Sequence, residues 1–351
     1  MRARLMNKIS LIPIVALLLL VFASGTVNAQ NRKAGINSAA FLKVGVGARQ
    51  VGLGSAVTSF NNDVTNMFWN PAGVALRNEM GQASFTYNSW IAGITQNAFA
   101  ASYNMEGVGT IGVGVMTFGI SGIQADRDVY PGNAVLQALQ IDQGSSGTYD
   151  YMDLMFQVTY SRYIIERLAL GASVKFISEK IDDQNASAVA FDLGSVYNIG
   201  SSNWNIGARI SNLGSDIKFY DYAHPIPLTF SIGTSMTPVQ FGDNSITFAL
   251  DAVKPQDGQQ YYYTGMEYNY SNMVFVRGGW KVNYSNFGLA ADGVDEGTSQ
   301  RQGIRTSLEK GTLGAGLRIP LSEYVVSFDY AYTLFTALDD VHRITLHFSM
   351  K

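Results

Sequence analysis

Thr110-Ile111-Gly112-Val113-Gly114-Val115-Met116-Thr117-Phe118 is a stretch whose apolar and glycine positions alternate from Ile111 to Val115. In an extended strand, side chains point to opposite faces with a period of two. Ile111, Val113 and Val115 therefore share one face, and Gly112 and Gly114 share the other. The pattern recurs downstream. Leu168, Leu170, Ala172, Val174 and Phe176 oppose Ala169, Gly171, Ser173 and Lys175. Tyr324, Val326, Phe328 and Tyr330 oppose Val325, Ser327 and Asp329, and Ile344, Leu346 and Phe348 oppose Thr345, His347 and Ser349. Segments of about ten residues with one apolar face have the length and character of a strand that crosses a bilayer.

Followed along the chain, the alternation predicts strands at 82–90, 94–103, 108–119, 151–162, 166–179, 186–198, 203–212, 226–236, 243–252, 260–270, 272–281, 311–320, 322–334 and 340–349. That is fourteen, and bacterial outer-membrane barrels carry an even number. If the first strand rises from the periplasm, the periplasmic turns near 104–107, 163–165, 199–202, 237–242, 271 and 321 are all short. The opposite end holds 120–150, 180–185, 213–225, 253–259, 282–310 and 335–339, three of them long. Short periplasmic turns and longer external loops fix the orientation. Tyr87, Trp90, Phe99, Tyr103, Phe118, Tyr160, Tyr163, Trp204, Tyr261 to Tyr263, Trp280, Tyr284, Tyr330 and Tyr332 fall mostly near strand ends, where amphipathic rings meet the headgroups. A soluble sandwich with these rings in its core fits the long strands and sparse charge less well.

Composition agrees. Only 15% of the 351 residues are charged, against roughly 25% in an ordinary soluble domain. There is no cysteine, which excludes disulfides, cysteine zinc sites and cysteine nucleophiles. Arg2, Arg4 and Lys8 precede an apolar run from Leu11 to Phe22 that ends near Val27-Asn28-Ala29. This is the pattern of a signal peptide over 1–29, with an apolar core shorter than the ~20 residues of a spanning helix. Removing its three basic residues from the 24 in the chain leaves 21 against 27 acidic ones, which argues against a duplex nucleic-acid binder. No later run has the length of a transmembrane helix, so a closed barrel is the remaining way to cross the membrane. The expected organisation is a signal peptide (1–29), an N-terminal extension and lumen plug with short helices (30–81), and a barrel (82–351). The fold class is all-β, a 14-stranded antiparallel transmembrane β-barrel in the bacterial outer membrane.

Residues 36 to 80 do not alternate. Ala39, Ala40, Phe41, Leu42 and Val44 suit a short helix, Asp63 suits the cap of another over 64–68, and Asn70 before Pro71 is extended and ends it. Arg49 and Asp63 are candidates for a buried ion pair inside the plug. The stretch from Gly47 to Ala75, GARQVGLGSAVTSFNNDVTNMFWNPAGVA, resembles the N-terminal signature of the PorV/PorQ family of outer-membrane proteins. That family lies within the wider group of barrels resembling the FadL long-chain fatty acid transporters. Arg49, Gly52, Gly54, Asp63 and the Asn70-Pro71-Ala72-Gly73 box carry the resemblance. It implies a fourteen-stranded barrel with an N-terminal plug. For members of the PorV kind it implies type IX secretion, in which cargo with a C-terminal signal domain is received and passed to the surface attachment machinery.

Chemistry has little to rest on. His224, His342 and His347 form no spaced ligand set, and no zinc-protease or nucleophile-elbow sequence occurs. The Gly112-x-Gly114 pair sits inside a strand, where it is not a phosphate loop. Asp126 and Asp128, Asp182 and Asp183, Asp292, Asp295 and Glu296, and Asp339 and Asp340 read as a solvated outer face without the regular order of a calcium loop. The expectation is a non-enzyme without metal or cofactor. On the strength of the resemblance, its first function is a secretion accessory that binds exported cargo proteins or secretion-system components through its external loops. Tyr130, Leu136, Leu139, Phe219, Tyr220, Tyr222 and Phe287 are the candidate anchors, with a helical turn over Ala134 to Gln140. Outer-membrane lipids and lipopolysaccharide are further partners. One alternative is a FadL-like transporter of long-chain fatty acids or other hydrophobic solutes. It needs an apolar pocket and an exit, which the glycines of the third strand (Gly107, Gly109, Gly112, Gly114) would ease, although glycines also serve a crowded barrel interior. The other is a surface anchor for an extracellular protein assembly.

Overall fold

The strands, in chain order, are β1 (Gly81–Ser89), β2 (Thr95–Met105), β3 (Gly109–Gln124), β4 (Thr148–Ile165), β5 (Leu168–Ile181), β6 (Gln184–Asn198), β7 (Asn205–Gly214) and β8 (Ile217–Phe219). They continue with β9 (Tyr222–His224), β10 (Thr229–Phe241), β11 (Asn244–Pro255), β12 (Tyr261–Tyr270), β13 (Val274–Asn283), β14 (Glu309–Leu321), β15 (Tyr324–Phe335) and β16 (Val341–Met350). This computed structural model describes residues 36–77, 79–124, 147–200, 203–219, 221–258, 260–283, 309–335 and 338–351. The expected signal peptide lies outside the described residues. Strands β8 and β9 pair only with each other; the other fourteen form one closed antiparallel barrel. Closure is made by β1 against β16, in register from Gly81 opposite Met350 to Ser89 opposite His342.

The phase read from the sequence is the phase of the wall. Ile111, Val113, Phe156, Val158, Leu170, Val174 and Phe176 face outward and are exposed, as are Phe328, Leu346 and Phe348 on the far side. Their inward neighbours Gln157, Thr159, Ser173, Lys175 and Thr345 are buried. A wall with apolar side chains outside and polar ones inside buries its outer face only in lipid. The barrel is therefore an outer-membrane barrel. Two expectations about it change. The ladder between β3 and β4 continues beyond 119 and 151, to Gln124 and Thr148, through a register shift between Ile120 and Ile123. Phe118, assigned to an aromatic girdle, instead points inward and is buried, and Trp90, Tyr261 and Tyr263 of that girdle line luminal cavities. Phe118 stacks on Phe41 with ring centroids 6.3 Å apart. Tyr284 lies outside the described residues.

Residues 36–80 precede β1 and touch strands around most of the wall. They contain helix α1 (Ala48–Gly52) and 3-10 helices at Ala40–Lys43, Val64–Phe68 and Pro71–Val74. Helix α1 packs on β13, β14, β15 and β16. Val64–Phe68 packs on β1, β2 and β3, and Pro71–Val74 on β4, β5 and β6. The segment therefore lies in the lumen, and nearly all of it from Val46 to Leu76 is buried.

Candidate functional site

An irregular segment inside a barrel has backbone N–H groups with no ladder to join, and each needs a partner when buried. Here the wall supplies side chains. Ala39 N donates to Glu179 Oε1 at 2.8 Å, Ala48 N to Thr345 Oγ1 at 2.8 Å, and Gly54 N to Thr312 Oγ1 at 3.1 Å. Thr58 N donates to Asp251 Oδ2 at 2.9 Å, Val64 N to Gln82 Oε1 at 2.7 Å, and Leu76 N to Thr110 Oγ1 at 3.1 Å. The segment also caps its own short helices. Thr65 N donates to Asp63 Oδ1 at 2.9 Å, and Ala72 N to Asn70 Oδ1 at 3.1 Å, with Pro71 at the first helical position where no N–H is missed. The Asn70 amide then donates to Thr58 O and Ser195 O, joining the cap to β6.

Close approach is made possible by inward glycines at mid-wall. A Cβ on Gly112 would lie 2.8 Å from Met67 Cε, and one on Gly314 would lie 3.1 Å from Gly52 Cα. Added side-chain carbons on Gly171, Gly194, Gly207, Gly265 and Gly279 would run into Pro71 and Ala72, Asn70, Thr58, Leu53 and Gly54 respectively. Of the third-strand glycines, Gly112 and Gly114 serve the crowded interior, where they leave room for Met67.

Of the predicted plug residues, Arg49 and Asp63 share one network. Arg49 Nη1 lies 3.5 Å from Asp63 Oδ2, and Arg49 Nη2 is 3.1 Å from Glu267 Oε1 on β12. Glu267 Oε2 accepts from Arg277 Nε at 2.6 Å, and Arg277 Nη1 donates to Asp329 Oδ1 at 2.5 Å. Gln50 Nε2 donates to Asp63 Oδ2 at 2.9 Å, and His347 Nδ1 lies 4.0 Å from Asp63 Oδ1. Burial opposes ionisation of Asp63. The charges of His347 and Arg49 and the Thr65 N–H outweigh it, so the carboxyl is held below its ordinary range. Burial likewise opposes the charge on Arg49, but Glu267 and Asp63 raise its pKa beyond the usual arginine value. Gly52 and Gly54 are where α1 and its exit touch the wall; Gly54 has φ +63°, and a Cβ there would lie 2.5 Å from Thr264 O. Gly73 is enclosed by Phe60 O and the Asn66 side chain.

Of the expected loop anchors, Phe219 on β8 packs against the apolar cluster at the external end, and Tyr222 on β9 is 77% exposed. Tyr130, Leu136, Leu139, Tyr220 and Phe287 lie outside the described residues. So do Asp126, Asp128, Asp292, Asp295, Glu296 and the turn over 134–140. Among the described residues, no group of three or more His, Asp or Glu is placed to hold a metal. Sequence reading did not single out the inward charges of the wall, Glu267, Arg277, Asp329, Lys175, Asp192, Arg209 and Arg343. Each is a charged residue at an inward position of a strand, and that parity was the available signal.

The segment divides the lumen. On its external side lies a cavity of about 390 Å³ whose walls include Phe68, Trp69, Lys175, Arg209, Tyr261 and Tyr263. A neighbouring cavity of about 220 Å³ shares Lys43, Val44, Gly45, Lys281 and Glu309 with it. On the periplasmic side is a charged cavity of about 90 Å³, lined by Arg49, Asp63, Arg277, Asp329 and His347 among others. Trp69 Nε1 donates to Val46 O, and Arg209 donates to Trp69 O with its guanidinium 5.6 Å from the Trp69 ring. Lys175 and Asp192 form a buried ion pair at 2.5 Å. The inner wall across β2 to β6 is apolar toward the external end. Ala98, Met116, Phe118, Met155, Ile177 and Ala188 form one buried cluster with Phe41 and Val46 of the segment and Ile217 and Ile226 of the external connections.

No protein-family model matches the chain, and no curated protein does. Solved structures that share its fold include the CymD monoaromatic hydrocarbon channel, with a TM-score of 0.54 and 13% identity, covering 88% of this chain and 98% of that one. A deltaS2S3 mutant of the TodX monoaromatic hydrocarbon channel gives 0.54 and 12%, covering 87% and 98%. A FadL homologue from Pseudomonas aeruginosa gives 0.52 and 10%, covering 87% and 98%. These matches overturn the expected secretion accessory that receives cargo proteins at its loops. The physical reason is plain in the contacts: Arg49, Gly52, Gly54, Asp63, Asn70 and Gly73 all seat a luminal segment and say nothing about what the loops meet. The chain is a fourteen-stranded outer-membrane β-barrel whose fold resembles that of these FadL-type structures.

Proposed function

We propose that this protein is a non-enzymatic channel for hydrophobic solutes, with residues 36–80 as its plug. The observation that carries this reading is the apolar inner wall of β2 to β6. Water-filled barrels have polar interiors. Here Met116, Phe118, Met155 and Ile177 face the lumen and are buried against Phe41. That surface runs from the external connections at Ile217 and Ile226 down to the luminal segment, beside a cavity of about 390 Å³ with aromatic residues in its lining. The cavity itself is lined by polar and apolar groups together, so the apolar stretch of wall beside it is the part that suits a small hydrophobic molecule. The fold it shares with monoaromatic hydrocarbon channels supports the same reading.

The test is uptake of labelled toluene into proteoliposomes whose outer leaflet is lipopolysaccharide, compared with uptake of labelled sucrose. A channel of this kind raises toluene entry several-fold over protein-free vesicles and leaves sucrose excluded. Equal toluene entry with and without protein would refute it.

A further inference from the structure

Arg343 on β16 is 1% exposed, yet its Nε and Nη1 have no hydrogen-bond partner among the described residues. Its Nη2 meets the side-chain oxygen of Asn88 at 2.9 Å when that amide is turned toward it. Thr333, opposite Val341 on the adjoining strand, is equally buried, and its hydroxyl is likewise without a partner. Both residues line the cavity of about 220 Å³. The other charges on this cavity are already engaged: Lys43 binds Asp257 at 2.6 Å, and Lys281 binds Glu309 at 2.6 Å. The guanidinium is left as a buried cation with two donors unbonded, and the one charge that reaches it is that of Glu309, which Lys281 already holds. A buried charge is costly unless it is paired and hydrogen-bonded.

The rest of the lining is apolar and partly aromatic. Val44 and Val51 come from the luminal segment, and the Trp90 and Phe335 rings meet edge to face, 5.8 Å apart at 88°. An apolar cavity of about 150 Å³ is known to hold benzene, so this one has room for a single ring with a small substituent. We propose that Arg343 and Thr333 form a luminal subsite for an aromatic monocarboxylate of about the size of benzoate. The carboxylate accepts from the guanidinium and the Thr333 hydroxyl, a charge-assisted pairing that arginine makes well. The ring lies against Trp90, Phe335 and Val51. As a statement about transport, this names a ligand class for the channel proposed above and rests on that reading; as a statement about binding, it rests on the cavity alone.

The experiment is calorimetric titration of the full-length protein in a non-ionic detergent with benzoate, with neutral isosteric benzamide, and with toluene. The wild type is expected to bind benzoate at least tenfold more tightly than benzamide. Arg343→Gln reduces that ratio to near one while toluene binding stays the same. Arg343→Lys, which keeps the charge, retains part of the preference, and Thr333→Val weakens benzoate several-fold. These two carry the test if Arg343→Gln fails to show the heat-modifiable migration of a folded barrel. Equal affinity for benzoate and benzamide in the wild type, or a ratio unchanged in the Arg343 variants, overturns the subsite. Toluene uptake without benzoate preference leaves the channel and removes the subsite. Arg343-dependent benzoate binding without toluene uptake does the reverse.

Discussion

Adding one methyl group to the wall at Gly279 should unseat the luminal segment and leave the barrel intact. In Gly279→Ala the new Cβ lies 2.5 Å from the Leu53 carbonyl carbon, and closer still to the nitrogen and Cα of Gly54. Ordinary carbon contacts lie at about 3.5–4.0 Å, so the segment must retreat by roughly 1 Å or more. The neighbours are backbone atoms, which cannot swing aside as a side-chain tip can. A shift of that size breaks the bond from Gly54 N to Thr312 Oγ1 and strains the one from Thr312 Oγ1 to Gly52 O, now 3.1 and 3.3 Å. Overpacking costs about 1–3 kcal/mol, and each lost hydrogen bond adds about 1 kcal/mol. The barrel ladder is untouched, because β13 pairs with β12 and β14 through its backbone. Gly278 is the control: it is the preceding residue on the outward face, and a Cβ there meets nothing within 4 Å. Limited proteolysis of refolded protein in detergent reads the result. Gly279→Ala should yield cleavage between residues 44 and 60 at rates tenfold or more above wild type, with unchanged heat-modifiable migration. Gly278→Ala should match wild type in both. A segment as protected in Gly279→Ala as in wild type would show that the glycine belt is not what seats it.

Glu267→Gln should be more damaging, because Glu267 bridges Arg49 and Arg277. Breaking a buried ion pair from one side costs roughly 3–5 kcal/mol, to be read as a lower thermal midpoint in detergent; an unchanged midpoint would mean that solvent already screens the network. Phe41→Ala opens a cavity against Phe118 and is expected to cost about 3–5 kcal/mol for full removal of a buried ring, visible as faster hydrogen exchange in residues 39–46. No change there would mean the apolar contact contributes little. Asp63 gives a pH dependence whose sign is set by its depressed pKa. The stabilisation from its ionised form is full above the unfolded value of about 3.9 and is lost as pH falls through the lower folded value. Wild-type protein should therefore show pepsin cleavage within 58–69 that rises below pH 4 relative to Asp63→Asn, and parallel curves for the two would refute the assignment.

How much of this was legible depended on the distance over which a residue is understood. Period two places Val113 outside and Gly112 inside from their neighbours alone, so strand phase and strand number could be read. Strand ends could not, because β3 and β4 stay paired past the lipid, where polar Ser121 and Gln124 no longer alternate with apolar residues. Asp63 could be read as a helix cap because a cap bonds two residues away, whereas Asn70, read as ending that helix, also caps the next turn. The partners of Arg49 could not: Glu267 lies 218 positions downstream, and only the closed register brings it to α1. The glycine belt was partly visible, since Gly112 and Gly114 stood on the inward face, but what filled the space they leave required the position of Met67.

The two sides of the luminal segment are held by different physics, and that difference bears on the proposed channel. Toward β12 to β16 it is fixed by Arg49, Glu267 and Arg277, by the glycine contacts of α1, and by hydroxyls that bond its N–H groups. These contacts are directional and charged, and a hydrocarbon offers nothing that replaces them. Toward β2 to β6, at the external end, two polar ties, Ala39 N to Glu179 Oε1 and Gln96 Nε2 to Val44 O, accompany a mainly apolar face on which Phe41 and Val46 meet Phe118, Met116 and Ile177. Apolar burial is non-directional and scales with area, so a hydrophobic solute reproduces most of what Phe41 contributes. Solute arriving from the external side therefore competes for the face where the segment is replaceable and leaves the ionic face in place. On this reading Phe41→Ala should raise solute affinity by vacating apolar wall, whereas Glu267→Gln should loosen the segment without creating a solute site. Equal toluene affinity in wild type and Phe41→Ala, measured by the same calorimetry, would mean that Phe41 and the solute occupy different surfaces.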